Sequence, residues 1–276
     1  MHDRDFALSV FVELIAAARE SGYRFLTVGS YLGGEREHPR FLILRHDVDR
    51  RPENALQMAI AEASRGVCST YYFRFNPRVF KKEIVKRIVE LGHEIGYHYE
   101  VMDKARGDPS LARRLFESEL AEIRAQTEVS TVCMHGNPFS PFDNRDFWRH
   151  FNPDEFGLAG EAYESIKDQE IFYATDTGRG WNRTRYNFKD RFADGSTNLL
   201  PSRESTADLI DLLRSGDYPK LYLQVHPSRW SAETLQWYRQ YFEDICINTA
   251  KRLYSFLDTG RSGTTASPES GRKRDR

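Results

Sequence analysis

The chain has 276 residues, 39% hydrophobic and 29% charged, with 40 Lys and Arg against 41 Asp and Glu. That length suits one large α/β domain with a substantial core, and the net charge of −1 offers no global field for a phosphate backbone, so nucleic acid is not an expected partner. No stretch matches the roughly 20 apolar residues of a membrane span, and the opening Met1-His2-Asp3-Arg4-Asp5-Phe6 lacks the basic-then-apolar pattern of a secretory signal, so the expected setting is the cytoplasm. Cys68, Cys133 and Cys246 are odd in number and have no Cys-x-x-Cys spacing, so they are expected to be small buried hydrophobes rather than disulfide partners or thiolate ligands.

In chain order, Phe6, Leu8, Val10, Phe11, Leu14, Ile15 and Ala18 recur at helical spacing and Gly22 stops the helix, giving a helical lead-in over 1–38. Phe41-Leu42-Ile43-Leu44 is a continuous apolar run of the kind found in a parallel strand covered on both faces. It ends in Arg45-His46-Asp47-Val48-Asp49. A helix over 52–65, a strand over 68–75, a helix over 81–91, a strand over 94–98, a helix over 110–126 and a strand over 130–134 follow. Residues 138–203 read as long loops with one strand at 171–175, and a helix at 205–215, a strand at 221–225 and a helix over 232–257 complete the domain. Strands alternating with helices imply right-handed βαβ units and a parallel sheet, open or closed. The polar segment 259–276 is expected to be disordered, which leaves one domain over 1–258.

In parallel α/β folds, functional groups gather at the C-terminal strand ends. Here those ends supply Asp47 and Asp49, then His98, Tyr99 and Glu100, then His135 and Asn137, then Asp176, then His226, Arg229 and Trp230. Carboxylates and imidazoles without a glycine-rich phosphate loop suit a divalent cation with separate groups left for proton transfer. Asp47 and Asp49 alternate along an extended segment, so both carboxylates can face one site, where a cation relieves their repulsion; the competing reading makes one of them the cap of the following helix. His98 sits nearer its strand end than His93, which reads as a structural histidine. His226 is fixed by Pro227 and suits a general acid, with a capping or core role as the alternative. Trp181 and Trp230 offer either platforms for a sugar ring or core packing.

The phrases ILRHDVD, GHEIGYHYE, MHGNP and VHPSRW, spread over 41–230, resemble those of the NodB-like polysaccharide deacetylases of carbohydrate esterase family 4. More narrowly, they resemble a divergent bacterial branch associated with surface-polysaccharide or lipopolysaccharide synthesis. The resemblance implies a distorted (β/α)7-type barrel and a metal-dependent hydrolase that removes an N-acetyl group from a nucleotide-, lipid- or oligosaccharide-linked sugar. It implies Asp47 as catalytic base, Asp49 and His98 as ligands of a divalent metal, zinc foremost, His226 as acid and Asp176 as the carboxylate that orients it. Tyr99, Asn137, Trp181, Arg229 and Trp230 are the expected substrate contacts. Where the family has a second metal histidine, four residues after the first, this chain has Met102, a poor partner for a borderline cation. His135 is the expected replacement, with Glu100 and Asp103 as competitors. The altered segment 134–138 leaves unidentified the group that holds the base. Two other readings remain: a glycosyltransferase using Asp47-Val48-Asp49, and a glycan-binding barrel that has lost its metal.

Overall fold

The computed structural model describes residues 4–182, 189–190, 192 and 197–262, with side chains described as far as residue 250. Helix α1 (Leu8–Glu20) is followed by strand β1 (Arg24–Leu26) and a short α2 (Val28–Leu32). Then come β2 (Phe41–Val48), α3 (Pro52–Ala63), β3 (Thr70–Arg74), α4 (Lys82–Glu90), β4 (Glu94–Tyr99), α5 (Val101–Lys104), α6 (Pro109–Arg124) and β5 (Thr131–Met134). The remainder comprises β6 (Gly160–Glu161), β7 (Phe172–Thr175), β8 (Asn198–Leu199), α7 (Thr206–Ser215), β9 (Lys220–Val225) and α8 (Thr234–Ser262). The lead-in is thus only partly helical, since it also contributes β1, which pairs with the start of β2. The backbone stays helical to Ser262, so the first residues of the expected tail continue α8; the rest of that tail, 263–276, lies outside the described residues. No helix among the described residues is long and apolar enough to cross a membrane.

The fold class expected from the alternation is the one observed. The sheet runs β6-β5-β4-β3-β2-β9-β7-β8 with β1 beside β2, and its ladders are parallel. β2 lies at its centre and is buried along its whole length, which is why its first half, 41–44, is apolar on both faces. Alternate residues of β2 separate two environments. Leu42 and Leu44 pack outward with Leu14 and Ile15 of α1 and Leu209 and Leu213 of α7, while Arg45 and Asp47 point inward.

The sheet curls strongly. Tyr163 and Ala162 directly follow β6 at one end of the strand order, yet the Tyr163 hydroxyl donates to Gln224 Oε1 on β9 at 3.0 Å, and the Tyr222 hydroxyl donates to the Ala162 carbonyl at 3.2 Å. The interior of this barrel-like sheet is polar and aromatic. The Arg45 guanidinium, without exposed surface, lies 4.2 Å from the Tyr163 ring centroid and 5.3 Å from that of Tyr222. Gly96 on β4 makes room for this filling: a Cβ there would stand 2.2 Å from Tyr72 Cε1 and 2.9 Å from the Thr131 carbonyl oxygen.

On the opposite, outward face, His46 Nε2 meets Glu62 Oε1 at 2.6 Å under α3, and Ser69 and Tyr71 both donate to Glu62 Oε2. His93 accepts from the Ser69 amide through Nδ1 and directs Nε2 to the Ala59 carbonyl, and burial lowers its pKa. It is a neutral structural histidine with both nitrogens occupied.

Candidate metal centre

The C-terminal ends of β2, β4, β5, β7 and β9 converge on one mouth of the curled sheet. Parallel pairing sets neighbours level: Arg45 of β2 is in register with Gln224 of β9, and His98 of β4 with Cys133 of β5. The loop after β2 carries Asp49. His135 continues β5 by one residue, and its amide donates to the Tyr99 carbonyl at 2.8 Å.

Asp49, His98 and His135 come together as one group. Asp49 Oδ1 is 3.3 Å from His98 Nε2 and 3.0 Å from His135 Nδ1, and those two nitrogens are 3.3 Å apart. Donors held about 2.0–2.1 Å from a tetrahedral zinc-like ion are separated by about 3.3 Å, so the spacing is that of a ligand set. Asp49 Oδ1 is buried and lacks a hydrogen-bond donor, although the side chain as a whole is 23% exposed. Burial raises the Asp49 pKa, and the neighbouring His135 and His98 outweigh it, holding the carboxyl well below its usual range. The His98 ring is oriented by the Nδ1 contact to the Cys133 carbonyl at 3.0 Å. With the proton on Nδ1, the Nε2 lone pair faces Asp49 and His135, the arrangement that metal-binding histidines adopt. The residues present therefore fit a divalent metal.

The other expected ligands are engaged elsewhere. Glu100 accepts from Arg74 at 2.6 Å, and Asp103 accepts from Ser140 and from Asn144 Nδ2. Met102 is buried in the aromatic core. Asn144, which the sequence reading passed over, braces the His135 loop: its Nδ2 donates to the His135 carbonyl at 2.8 Å while its Oδ1 accepts from the amides of Met102 and Asp103.

Asp47 lies deeper, with Oδ2 4.0 Å from His98 Nε2. The groups that hold it, unidentified in the sequence, are Arg45 and Gln224. Arg45 Nη2 and Gln224 Nε2 donate to Oδ2 at 3.2 and 2.5 Å. Oδ1 receives no aligned hydrogen bond, the Arg45 Nε contact at 3.0 Å being misaligned. Cys133 also faces inward, with Sγ 4.0 Å from Asp47 Oδ2, but burial pushes its thiol well above the ordinary range, so it stays a neutral thiol. Cys68 and Cys246 are exposed, contrary to the expectation that all three cysteines are buried.

Asp176, at the end of β7, organises the opposite wall. Its Oδ1 meets His226 Nδ1 at 2.6 Å and accepts from Arg229 Nη1 at 2.6 Å. Its Oδ2 accepts from the His226 amide and from Trp230 Nε1, both at 3.0 Å. Burial alone raises the Asp176 pKa, and Arg229 and His226 more than reverse that, bringing it to about 2. His226 Nε2 is left facing Asp49 Oδ2 at 4.0 Å.

Three expected substrate contacts do not reach this mouth. Tyr99 is one residue out of phase with His98, so its ring points outward into the Phe116 and Phe147 cluster and its hydroxyl accepts from Trp148 Nε1. Trp181 is fully buried and directs its indole N–H to Thr206. Trp230 is buried against Phe6 and Phe11 and directs its own to Asp176. None presents a ring face to a sugar. Arg229 and Asn137 lie partly exposed near the mouth, Arg229 held by Asp176 and Asn137 accepting from the Phe139 amide.

No family model matches the chain, and no curated protein matches it. Among solved structures it is similar to a Streptococcus mutans CE4 esterase, with a TM-score of 0.45 and 11% identity over 84% of this chain and 90% of that one. It is also similar to a family 4 carbohydrate esterase from Bacillus anthracis (TM-score 0.35, 17% identity, 75% of this chain and 88% of that one). A third is the peptidoglycan deacetylase PdaC from Bacillus subtilis (TM-score 0.36, 13% identity, 79% of this chain and 97% of that one).

Proposed function

We propose that the protein is a metal-dependent N-deacetylase acting on an acetylated sugar, in the synthesis of a bacterial surface polysaccharide or lipopolysaccharide. The observation that carries this reading is the mutual spacing of Asp49 Oδ1, His98 Nε2 and His135 Nδ1, at 3.0 to 3.3 Å, around a buried carboxylate oxygen with no hydrogen-bond donor. The sequence phrases around Asp47, His98 and His226 add the sugar and the polysaccharide setting.

Asp49, His98 and His135 would hold the metal, and a nitrogen-rich, thiolate-free set of this kind favours zinc. When bound, the metal supplies Lewis-acid polarisation of the acetyl carbonyl and a lowered pKa for water. Asp47, whose Oδ2 lies 4.0 Å from His98 Nε2, accepts the proton of the attacking water. Arg45 and Gln224 fix the direction of this carboxylate from the barrel interior. Attack breaks the amide C–N bond, and the departing amine takes a proton from His226 Nε2. Asp176 holds the His226 ring by Nδ1 and so directs Nε2 toward the site, the role of the carboxylate in other acid–base histidine pairs.

The glycosyltransferase reading needs both acids of Asp47-Val48-Asp49 open to a nucleotide-bound cation. The pinning of Asp47 inside the barrel weighs against it. The decisive experiment is acetate release from N-acetylated sugars by zinc-loaded protein, with metal content measured alongside; full zinc occupancy without acetate from any acetylated sugar would remove the proposal.

A further inference from the structure

Beside Asp49 opens a cleft of about 510 Å³ walled by Arg50, Arg51, Arg74, Arg78 and Glu100. None of the four arginines takes part in the chemistry above, and the chain as a whole carries a net charge of only −1. Their pairing is uneven. Arg50 is tied to Glu243 and Asp244 of α8, and Arg51 to Glu243, whose side chain is 46% exposed and forms a weak, replaceable pair. Arg74 meets Glu100 through Nη2, but its Nε is buried without a partner. Arg78 is exposed, and its side chain has no ion pair or hydrogen bond among the described residues. Arg51 also holds a left-handed backbone with φ of 55°, a conformation that glycine or asparagine adopts more easily, and it does so two residues after the metal-site carboxylate.

Building on the deacetylase reading, we infer that this cleft binds a phosphate or diphosphate carried by the sugar, so that the substrate is a glycosyl phosphate ester rather than a neutral glycan chain. Guanidinium groups on two stretches, 50–51 and 74–78, face one cleft, and the Arg78 side chain and Arg74 Nε have no carboxylate partner among the described residues, whereas the oxygens of a diphosphate can engage several forks. Asp49 lines both the cleft and the metal centre. A phosphate at the anomeric carbon therefore sets the acetamido group on the adjacent carbon next to Asp49, His98 and His135. The same anion is offered by a nucleotide sugar and by a lipid-linked sugar diphosphate.

The test uses zinc-loaded full-length protein and the exposed variant Arg78→Ala. Binding of N-acetylglucosamine 1-phosphate and of N-acetylglucosamine is measured by calorimetry, and acetate release is followed for both and for UDP-N-acetylglucosamine and a prenyl-diphosphate N-acetylglucosamine. The phosphorylated sugar is expected to bind at least about tenfold more tightly than the neutral one, and Arg78→Ala to raise its KM about tenfold with kcat unchanged and neutral-sugar kinetics unaltered. Preference for the nucleotide arm or for the lipid arm supports the inference and identifies the source. Equal binding of neutral and phosphorylated sugars, or kinetics indifferent to Arg78→Ala, overturns it even if acetate is released. Absence of acetate from every sugar, with phosphate-dependent binding intact and lost in Arg78→Ala, overturns the deacetylase reading and supports the phosphate site.

Discussion

Replacing Asp176 with asparagine tests the best-defined part of the site. The carboxylate, itself without exposed surface, accepts from the His226 amide, Trp230 Nε1 and Arg229 Nη1 and contacts His226 Nδ1. Its pKa is lowered from 3.8 to about 2, which corresponds to about 2 kcal/mol of folding stability at neutral pH. Because the folded-state pKa lies below the unfolded one, that contribution is complete above about pH 4 and disappears as pH falls through about 2, with roughly half remaining at pH 3. Asp176→Asn should therefore cost at least about 2 kcal/mol at pH 7, and more if Arg229 is left as an unpaired charge. The assay is urea unfolding of wild type and variant at pH 7 and pH 3, where the stability gap should narrow by about 1 kcal/mol on acidification. A gap of the same size at both pH values would show that the four contacts do not depend on the carboxylate charge, and the reasoning would fail.

His135→Ala and His98→Ala should each lower bound zinc well below one equivalent by elemental analysis, whereas Met102→Leu should leave it unchanged; full zinc in His135→Ala eliminates His135 as a ligand. Asp47→Asn should retain metal and lose at least about a hundredfold in acetate turnover, the scale of a lost general base, so undiminished turnover takes that role from Asp47. Gln224→Ala should also keep its metal and reduce kcat more than it raises KM, because it acts on the direction of Asp47; an effect confined to KM contradicts this. Gly96→Ala should destabilise the fold by at least about 1–3 kcal/mol through overpacking against Tyr72, measurable as a lower urea midpoint, and a neutral result would mean that the barrel interior yields more readily than the 2.2 Å approach indicates.

The sequence carried the scaffold because long parallel strands must be apolar on both faces, and those runs are bounded by helices of clear period. β1, β6 and β8 escaped notice, since strands of three and two residues hold no period. The convergence of Asp49, His98 and His135 was legible from strand-end position, since neighbouring parallel strands bring their ends level. Strand phase was the signal underused. Counting alternation along 41–48 puts Arg45 on the same face as Asp47, which would have found the missing group, and counting along 94–99 turns Tyr99 away from His98. Trp181 and Trp230 were ambiguous for a different reason: their burial depends on α1, α7 and the loop after β7 folding over them, contacts far apart along the chain.

Arg45 ties the inside of the barrel to its mouth. One guanidinium reaches Tyr222 with one arm and Asp47 with another while lying against the Tyr163 ring. Attempts to harden this protein by converting its polar, aromatic interior to aliphatic packing would thus release the Asp47 carboxylate, since the fastening of that carboxylate and the filling of the fold are the same atoms. Heat tolerance would have to be sought on the outer helices instead.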